Sequence, residues 1–486
     1  MRLPGGDLPN RLADRLHALD YTVEGVRRLL GPVAADALGR DETVPATRRL
    51  IADDSPLGAV VCLFLLGQPV AERAVVDALG FSPSHLGEVV EVSDGHVRAR
   101  VELAPYAADD HDWFVASDWS ARRTGRPTAA DHVLGVGGAS TMLAQCTVRS
   151  EIGHALDLGT GCGVQAFHLA GHAERVVGTD ISARCLKFAS FNAAMNHISL
   201  DVGRGNLFEP VAGERFDLIV SNPPFVIGSP SAARHDYRDS GLEGDTVCAA
   251  VVRGASGHLT ESGWCQLLAN WEITDGDDWT AHPRAWVAAS GLDAWVIQRD
   301  AQDPAAYVEM WLRDAGQQWS AEYRDLYDGW MSTLERRGVI GVGFGLISLR
   351  RSGRDAPVQR FQHAPQAWAQ PVAPDVERWF TVHDVLASDP ASVLMQPLRI
   401  GSDVVVEHHH RVGDDEEVMI LRRSSGMGWS GPVDPFGRDL MAALDGVLPA
   451  AEAVLAVAAE HAVEPEGALA AAVPILVQLA VEGFVL

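Results

Sequence analysis

The six cysteines (Cys62, Cys146, Cys162, Cys185, Cys248 and Cys265) lie scattered, and no two form a Cys-x-x-Cys pair. That excludes the common zinc spacings, so no metal is expected, and it supplies no disulfide framework, as suits a reducing cytoplasm. Long apolar runs are also missing. The longest, Leu57 to Leu66, is too short to span a bilayer and reads as a buried helix, so no membrane partner is expected. The opening MRLPGGDLPNRL lacks the apolar stretch of a signal peptide, which points to a soluble cytoplasmic protein. Positive charge is scarce: 39 Lys and Arg stand against 65 Asp and Glu, a formal net charge of -26. This balance weighs against a protein that coats phosphate backbones. It leaves open a local patch, for which Arg122, Arg123 and Arg126 are the candidates.

What remains is globular composition, 47% hydrophobic and 21% charged over 486 residues, enough for two or three cores. Three regions separate by texture. Residues 1–125 open with short helical patterns such as NRLADRLHAL, then alternate in HVRARVELAPY, which suggests a small α+β module of winged-helix-like type. Residues 126–352 alternate strand and helix. Apolar runs stand at 154–158, 175–179, 216–221, 264–270, 293–298 and 341–350, with a weaker strand near 198–202. Such alternation implies an α/β, mostly parallel sheet with helices on both faces. A helical insertion, DPAAYVEMWLRDA through LERR, precedes the last strand. Residues 353–374 read as a linker, and 375–486 as a second small α+β, winged-helix-like region ending in Ala-rich helices.

Two motifs carry chemistry. Asp157-Leu158-Gly159-Thr160-Gly161-Cys162-Gly163 follows a strand and opens a helix, where glycines make a tight turn and bring backbone close to a ligand. As a dinucleotide fingerprint it fits poorly, because position 164 is Val, although a frame from Gly161 to Ala166 is permitted. A glycine-rich turn without a ligand is the plainer alternative. Some sixty residues later, Asn222-Pro223-Pro224-Phe225 ends the fourth strand. Two prolines stop a strand cleanly, but that alone does not explain the flanking Asn and Phe.

Together these motifs resemble class I S-adenosylmethionine-dependent methyltransferases of the small-domain type, and most closely the HemK-type glutamine methyltransferases. The later Arg238-Asp239-Ser240-Gly241-Leu242-Glu243-Gly244 resembles that family's Gly-Leu-x-Gly segment. The resemblance implies a seven-stranded Rossmann-like sheet with its last strand antiparallel, and S-adenosyl-L-methionine as cofactor. It assigns Asp157, Gly159, Thr160, Gly161 and Gly163 to the methionine end, Asp180 with Ile181 to the ribose, and Asn206 with Leu207 to the adenine. Asn206 stands where the family has Asp. Thr141 carries over from a turn lying over the cofactor. Asn222 with Pro223, Pro224 and Phe225 would hold a planar nitrogen: the Asn oxygen and a Pro carbonyl accept its N–H bonds and the ring stacks on it. The acceptor this implies is a protein glutamine of release-factor type. The same tetrapeptide also serves an amino group of adenine, guanine or cytosine in RNA or DNA. A binding or scaffold protein that kept the fold and lost turnover is the alternative of another class, and an intact Asn222 argues against it.

Three features are set aside. His408-His409-His410 alternate faces on a strand, so a metal site is not expected. Asp414-Asp415-Glu416-Glu417 reads as a solvated loop. The tryptophans from Trp264 to Trp330 are expected mostly in core and insertion packing.

Overall fold

The computed structural model describes residues 3–228, 244–276, 278–386, 389–410, 412 and 417–486. The chain divides into two compact units, Met1–Ala144 with Glu151–Gln362, and Gln145–Ser150 with His363–Leu486. The Gly-Leu-x-Gly resemblance at 238–243 and the acidic run at 414–416 lie outside the described residues.

The first unit is built on one large sheet. Its strands are β1 (Ile152–Leu158), β2 (Ala173–Asp180), β3 (Asp201–Arg204), β4 (Phe216–Ser221), β5 (Leu259–Ile273), β6 (Asp293–Gln302), β7 (Gly341–Arg350) and β8 (Gln359–His363). They lie in the order β8-β6-β7-β5-β4-β1-β2-β3. Pairings among β1 to β5 are parallel, while β7 runs antiparallel between β5 and β6. The sheet therefore has eight strands where seven are expected. The extra one, β8, comes from the stretch read as a linker: 359–363 is too polar to announce itself, yet pairs at the sheet edge beside β6.

Parallel strands need crossovers, and helices supply them: α1 (Val164–Ala170), α2 (Ala183–Met195), α3 (Thr246–His258) and α4 (Ala281–Ser290). Both faces of the central strands are thus covered, which is why β1 and β4 read as near-continuous apolar runs. The insertion forms α5 (Pro304–Asp314) and α6 (Tyr323–Arg336). Asp303 starts α5 cleanly: its carboxylate accepts the Ala305 and Ala306 N–H groups at 2.9 and 3.0 Å, and Pro304 takes the first helical position. Trp271, Trp286, Trp295 and Trp330 are all buried, whereas Trp319 is exposed.

The N-terminal residues pack in the same compact unit as this sheet. Six helices between Leu8 and Leu79 and a three-stranded sheet (70–71, 90–93, 96–99) precede a hairpin of Glu102–Ala108 and His111–Ser117. Their core, including Leu16, Tyr21, Phe64 and Phe114, is continuous with Phe167, Phe188 and Phe191 of α1 and α2. The join is polar as well. Asn192 on α2 and Asn196, the residue capping its C-terminal end, reach the hairpin strand edge. Asn192 accepts from Ala116 N at 2.8 Å and donates to Ala116 O at 2.9 Å, and Asn196 does the same with Phe114 at 2.8 Å each way. Two side chains i,i+4 at a helix end thereby satisfy residues i,i+2 on a strand, so an edge is closed without another strand. This pairing is why residues 1–125 belong with the sheet.

The second unit holds a three-stranded antiparallel sheet (404–410, 417–423, 430–433) and four helices of nine or more residues among its described residues. Buried Arg423 organises it, pairing with Asp375 at 2.7 Å and Asp403 at 2.9 Å. Helix Pro465–Glu482 is long and apolar enough, by length and composition, to cross a membrane. Its buried residues, among them Leu476 and Ala480, pack within this unit.

Candidate functional site

The order of strands reverses at β1 and β4, and it is beside this switch point that a doubly wound sheet opens a crevice. Register brings the sequence motifs to that place. Asp157 lies opposite Val220 and Leu158 opposite Ser221, so Gly159 and Asn222 leave the sheet side by side. Asp180 ends β2 opposite Arg204.

A cavity of about 380 Å³ opens here. Asp157, Gly159, Thr160, Gly161, Asp180, Ile181, Asn206, Leu207 and Asn222 all line it, together with Pro223 and Pro224. The glycine turn has three parts with different reasons. Gly159 and Gly161 carry φ of +79° and +55°, and a Cβ on either would project into open space. A side chain there would be strained and would occupy the cavity. Gly163, at φ +94°, does not line the cavity; a Cβ would meet Phe167 and Ala189 at 3.2 to 3.4 Å, so it is a packing glycine at the start of α1. The turn is braced by carboxylates. Asp157 accepts the Thr160 hydroxyl at 2.6 Å and Ala166 N at 3.0 Å, and Asp180 accepts Gly161 N at 3.0 Å and Ser182 N at 2.8 Å.

Burial pushes the Asp157 carboxyl up to about 7, against the pull of its hydrogen bonds to Thr160 and Ala166. Burial likewise pushes the Cys162 and Cys185 thiols up to about 12, so these cavity cysteines are protonated and not nucleophilic. Ile181 is 59% exposed, an apolar surface free to receive a ring. Leu207 adopts φ +47°, turning the chain around the far end of the cavity.

A second cavity, about 810 Å³, shares Leu134, Gly135, Ser140, Asn222 and Pro223 with the first. Phe225 lines only this one, 6.3 Å from the Trp311 ring in an edge-on arrangement. Thr141 also faces this side; its hydroxyl donates to Gly137 O at 3.2 Å. Asn222 therefore stands where the two cavities meet. Among the described residues its buried Oδ1 has no hydrogen-bond partner, a costly state for an amide oxygen unless a ligand completes it. The insertion holds the turn that follows: Ile227 N donates to Tyr307 Oη and Trp330 Nε1 donates to Ile227 O, both at 2.8 Å.

The far wall of the second cavity was not readable as a site. It includes Glu102, Tyr106, Asp118, Arg123 and His132 from the N-terminal residues, and Trp311 and Asp314 from α5. Arg123 turns inward, so Arg122, Arg123 and Arg126 do not form a common patch: Arg123 pairs with Asp41 at 3.0 Å, and Arg122 donates to Arg40 O at 3.2 Å. His132 is buried, which lowers its pKa. These positions share no spacing or composition, and in the sequence only Arg123, within a basic run, marks them. Asp245, Glu272 and His282 cluster elsewhere in the unit, but Arg337 already occupies Glu272 with two bonds of 2.7 Å.

Known proteins match the same stretch. The methyltransferase small domain family matches residues 135–274, and domains of unknown function DUF7059 and DUF7782 match 18–100 and 377–486. A release factor glutamine methyltransferase of Xylella fastidiosa is 36% identical over 155 residues, 30% of this chain and 54% of that one. A ribosomal RNA small subunit methyltransferase C of Klebsiella pneumoniae is 38% identical over 120 residues, 24% of this chain and 31% of that one. The chain thus spans about half or less of the length of these relatives. The solved T. thermophilus 16S rRNA N2 G1207 methyltransferase, in complex with AdoMet and guanosine, covers 48% of this chain and 62% of its own. It is 19% identical with a TM-score of 0.27, too low for any site to transfer. Residues 135–274 are thus similar to the methyltransferase small domain family.

Proposed function

We propose that the chain is an S-adenosylmethionine-dependent N-methyltransferase acting on a planar amide or amino nitrogen of a macromolecule in the cytoplasm. The observation that carries this reading is the buried Oδ1 of Asn222, unpartnered among the described residues, where the two cavities meet.

The first cavity suits the cofactor. Its backbone turn leaves space at Gly159 and Gly161, Asp180 offers carboxylate lone pairs to ribose hydroxyls, and Ile181 and Leu207 offer apolar surface to adenine. When bound, the cofactor supplies a sulfonium methyl group as electrophile. The residues of this chain do the rest. An amide or aryl amine is a weak nucleophile because its lone pair is delocalised. Asn222 Oδ1 and a carbonyl of the Pro223-Pro224 turn accept its two N–H bonds, which orients the lone pair and stabilises the charge that grows on nitrogen. Phe225 and Trp311 cover the flat faces of the group and exclude water. Once alkylated the nitrogen is acidic and its proton leaves without a dedicated strong base.

The acceptor favoured is a protein glutamine, the substrate for which the Xylella relative is named. An RNA base amino group is the second reading, supported by the Klebsiella relative. Labelled-methyl transfer into a lysate from a strain lacking the gene tests both. Label that survives ribonuclease and is lost to protease is expected; the reverse would sink the glutamine reading.

A further inference from the structure

Among the described residues lining the second cavity, Arg123 and Glu102 lie together, and Asn222 lines the same cavity. Arg123 is only 7% exposed, and all its anchors come from the N-terminal residues: Nε donates to Asp41 Oδ1 at 3.0 Å and Nη2 faces Glu102 Oε1 at 3.5 Å. The remaining terminal nitrogen, Nη1, is buried with no hydrogen-bond partner among the described residues. Trp119 lies against the guanidinium at 6.0 Å. A guanidinium gripped on two sides and empty on the third is a preorganised donor, and leaving it unsatisfied costs free energy. Glu102 beside it is 22% exposed, and burial pushes its carboxyl up to about 7 although Arg123 pulls the other way. At neutral pH it is divided between acid and carboxylate and offers an acceptor oxygen in both forms.

We propose that Arg123 and Glu102 form a donor–acceptor pair that reads a peptide group of a protein substrate, whose glutamine side chain extends to Asn222. This rests on the N-methyltransferase reading above. A main-chain amide presents one C=O and one N–H; Arg123 Nη1 donates to the first and Glu102 accepts from the second. The volume agrees: 810 Å³ far exceeds one carboxamide and admits a stretch of chain. Charge selects peptide over RNA. The arginines lining the cavity are already paired, Arg27 with Asp36 at 2.6 Å and Arg123 with Asp41, and Asp118 is itself bound by Arg184 at 2.6 Å. A polynucleotide gains affinity by exchanging counterions for unpaired cations, and this wall offers none.

The experiment uses the full chain, labelled S-adenosylmethionine, and two titrated probes: the protein fraction and the RNA fraction of a lysate from a strain lacking the gene. Arg123→Lys keeps a positive charge against Asp41 but removes the free donor. Glu102→Met keeps the side-chain length and removes the acceptor oxygens. Each is expected to raise the apparent KM for the protein fraction about tenfold, with kcat within about twofold of the unsubstituted chain. Cofactor Kd should be unchanged in both. Unchanged KM in both variants overturns the proposal, as does a joint loss of kcat and cofactor affinity, which would mark a purely structural role. Label entering RNA in preference to protein also overturns it. Bound cofactor with no transfer to either fraction would overturn the N-methyltransferase reading itself, a result distinct from the others.

Discussion

The two cavities that meet at Asn222 are made of different material. The smaller is lined largely by backbone turns at the carboxyl ends of four neighbouring strands, each contributing a few consecutive residues: 157–162, 179–181, 205–207 and 221–224. The larger draws on more distant parts of the chain: side chains from the N-terminal helices, the 102–117 hairpin and α5, with the glycine-rich run 134–141 and the turn at 222–226. A cofactor common to many enzymes can be held by main-chain geometry that tolerates little change. A variable substrate calls for side chains that can be exchanged without disturbing the sheet. Binding and selection are thereby separated across one amide side chain.

The strongest way to break that division is at the amide itself. Asn222→Ala is expected to lower kcat about 10²- to 10³-fold, the usual loss when one preorganised group facing the transition state is removed. Cofactor affinity should stay within a few-fold, as measured by calorimetric titration. A loss of kcat under about tenfold would show that the buried Oδ1 is not the acceptor-holding group.

Next in size is the glycine turn. Gly161→Val places a branched side chain at φ +55° and into the first cavity, so cofactor Kd should rise about 100-fold through strain and occlusion together. Gly163→Val should act differently, because its Cβ meets Phe167 and Ala189: the melting temperature of the free protein falls first. If both variants merely lowered the melting temperature, the distinction between ligand-facing and packing glycines would fail.

This difference in material also explains what could be read in the sequence. Asp157 to Gly163, Asp180 and Asn222 to Phe225 are short, contiguous and tied to strand ends, so their residue types state their own geometry. The same stretch contained one glycine, Gly163, whose reason is packing against α2, and nothing local distinguishes it from Gly161. Arg123, Glu102 and Trp311 lie far apart in sequence, and only the fold brings them to one wall. Residues 1–125 look separable in the sequence because the link joins distant apolar residues such as Phe114 and Phe188 and adds two asparagines, Asn192 and Asn196, whose main-chain partners leave no compositional trace. Strand 359–363 escaped for a related reason: an edge strand needs no apolar alternation.

A smaller effect sharpens the side-chain cavity. Trp311→Ala removes a ring 6.3 Å from Phe225 and should raise the KM for the acceptor about tenfold while cofactor Kd is unchanged. Equal effects on both would place Trp311 in general support of the α5 packing.

The smallest expected effect lies in pH. Burial raises the Asp157 carboxyl to about 7, so near neutrality half of the free protein carries it protonated. A cofactor bearing an ammonium group at that end of the cavity favours the carboxylate, hence protons compete with binding. The sign follows: affinity is highest above pH 7 and declines as pH falls through 7, by roughly fourfold between pH 8 and pH 6.5 for a single group of that pKa. Titrations across that range check it. Asp157→Asn should bind more weakly and lose the dependence, because an amide cannot ionise while its oxygen still accepts from Thr160. A slope that persists in Asp157→Asn would assign the proton to another group and leave the Asp157 carboxyl a brace for the turn alone.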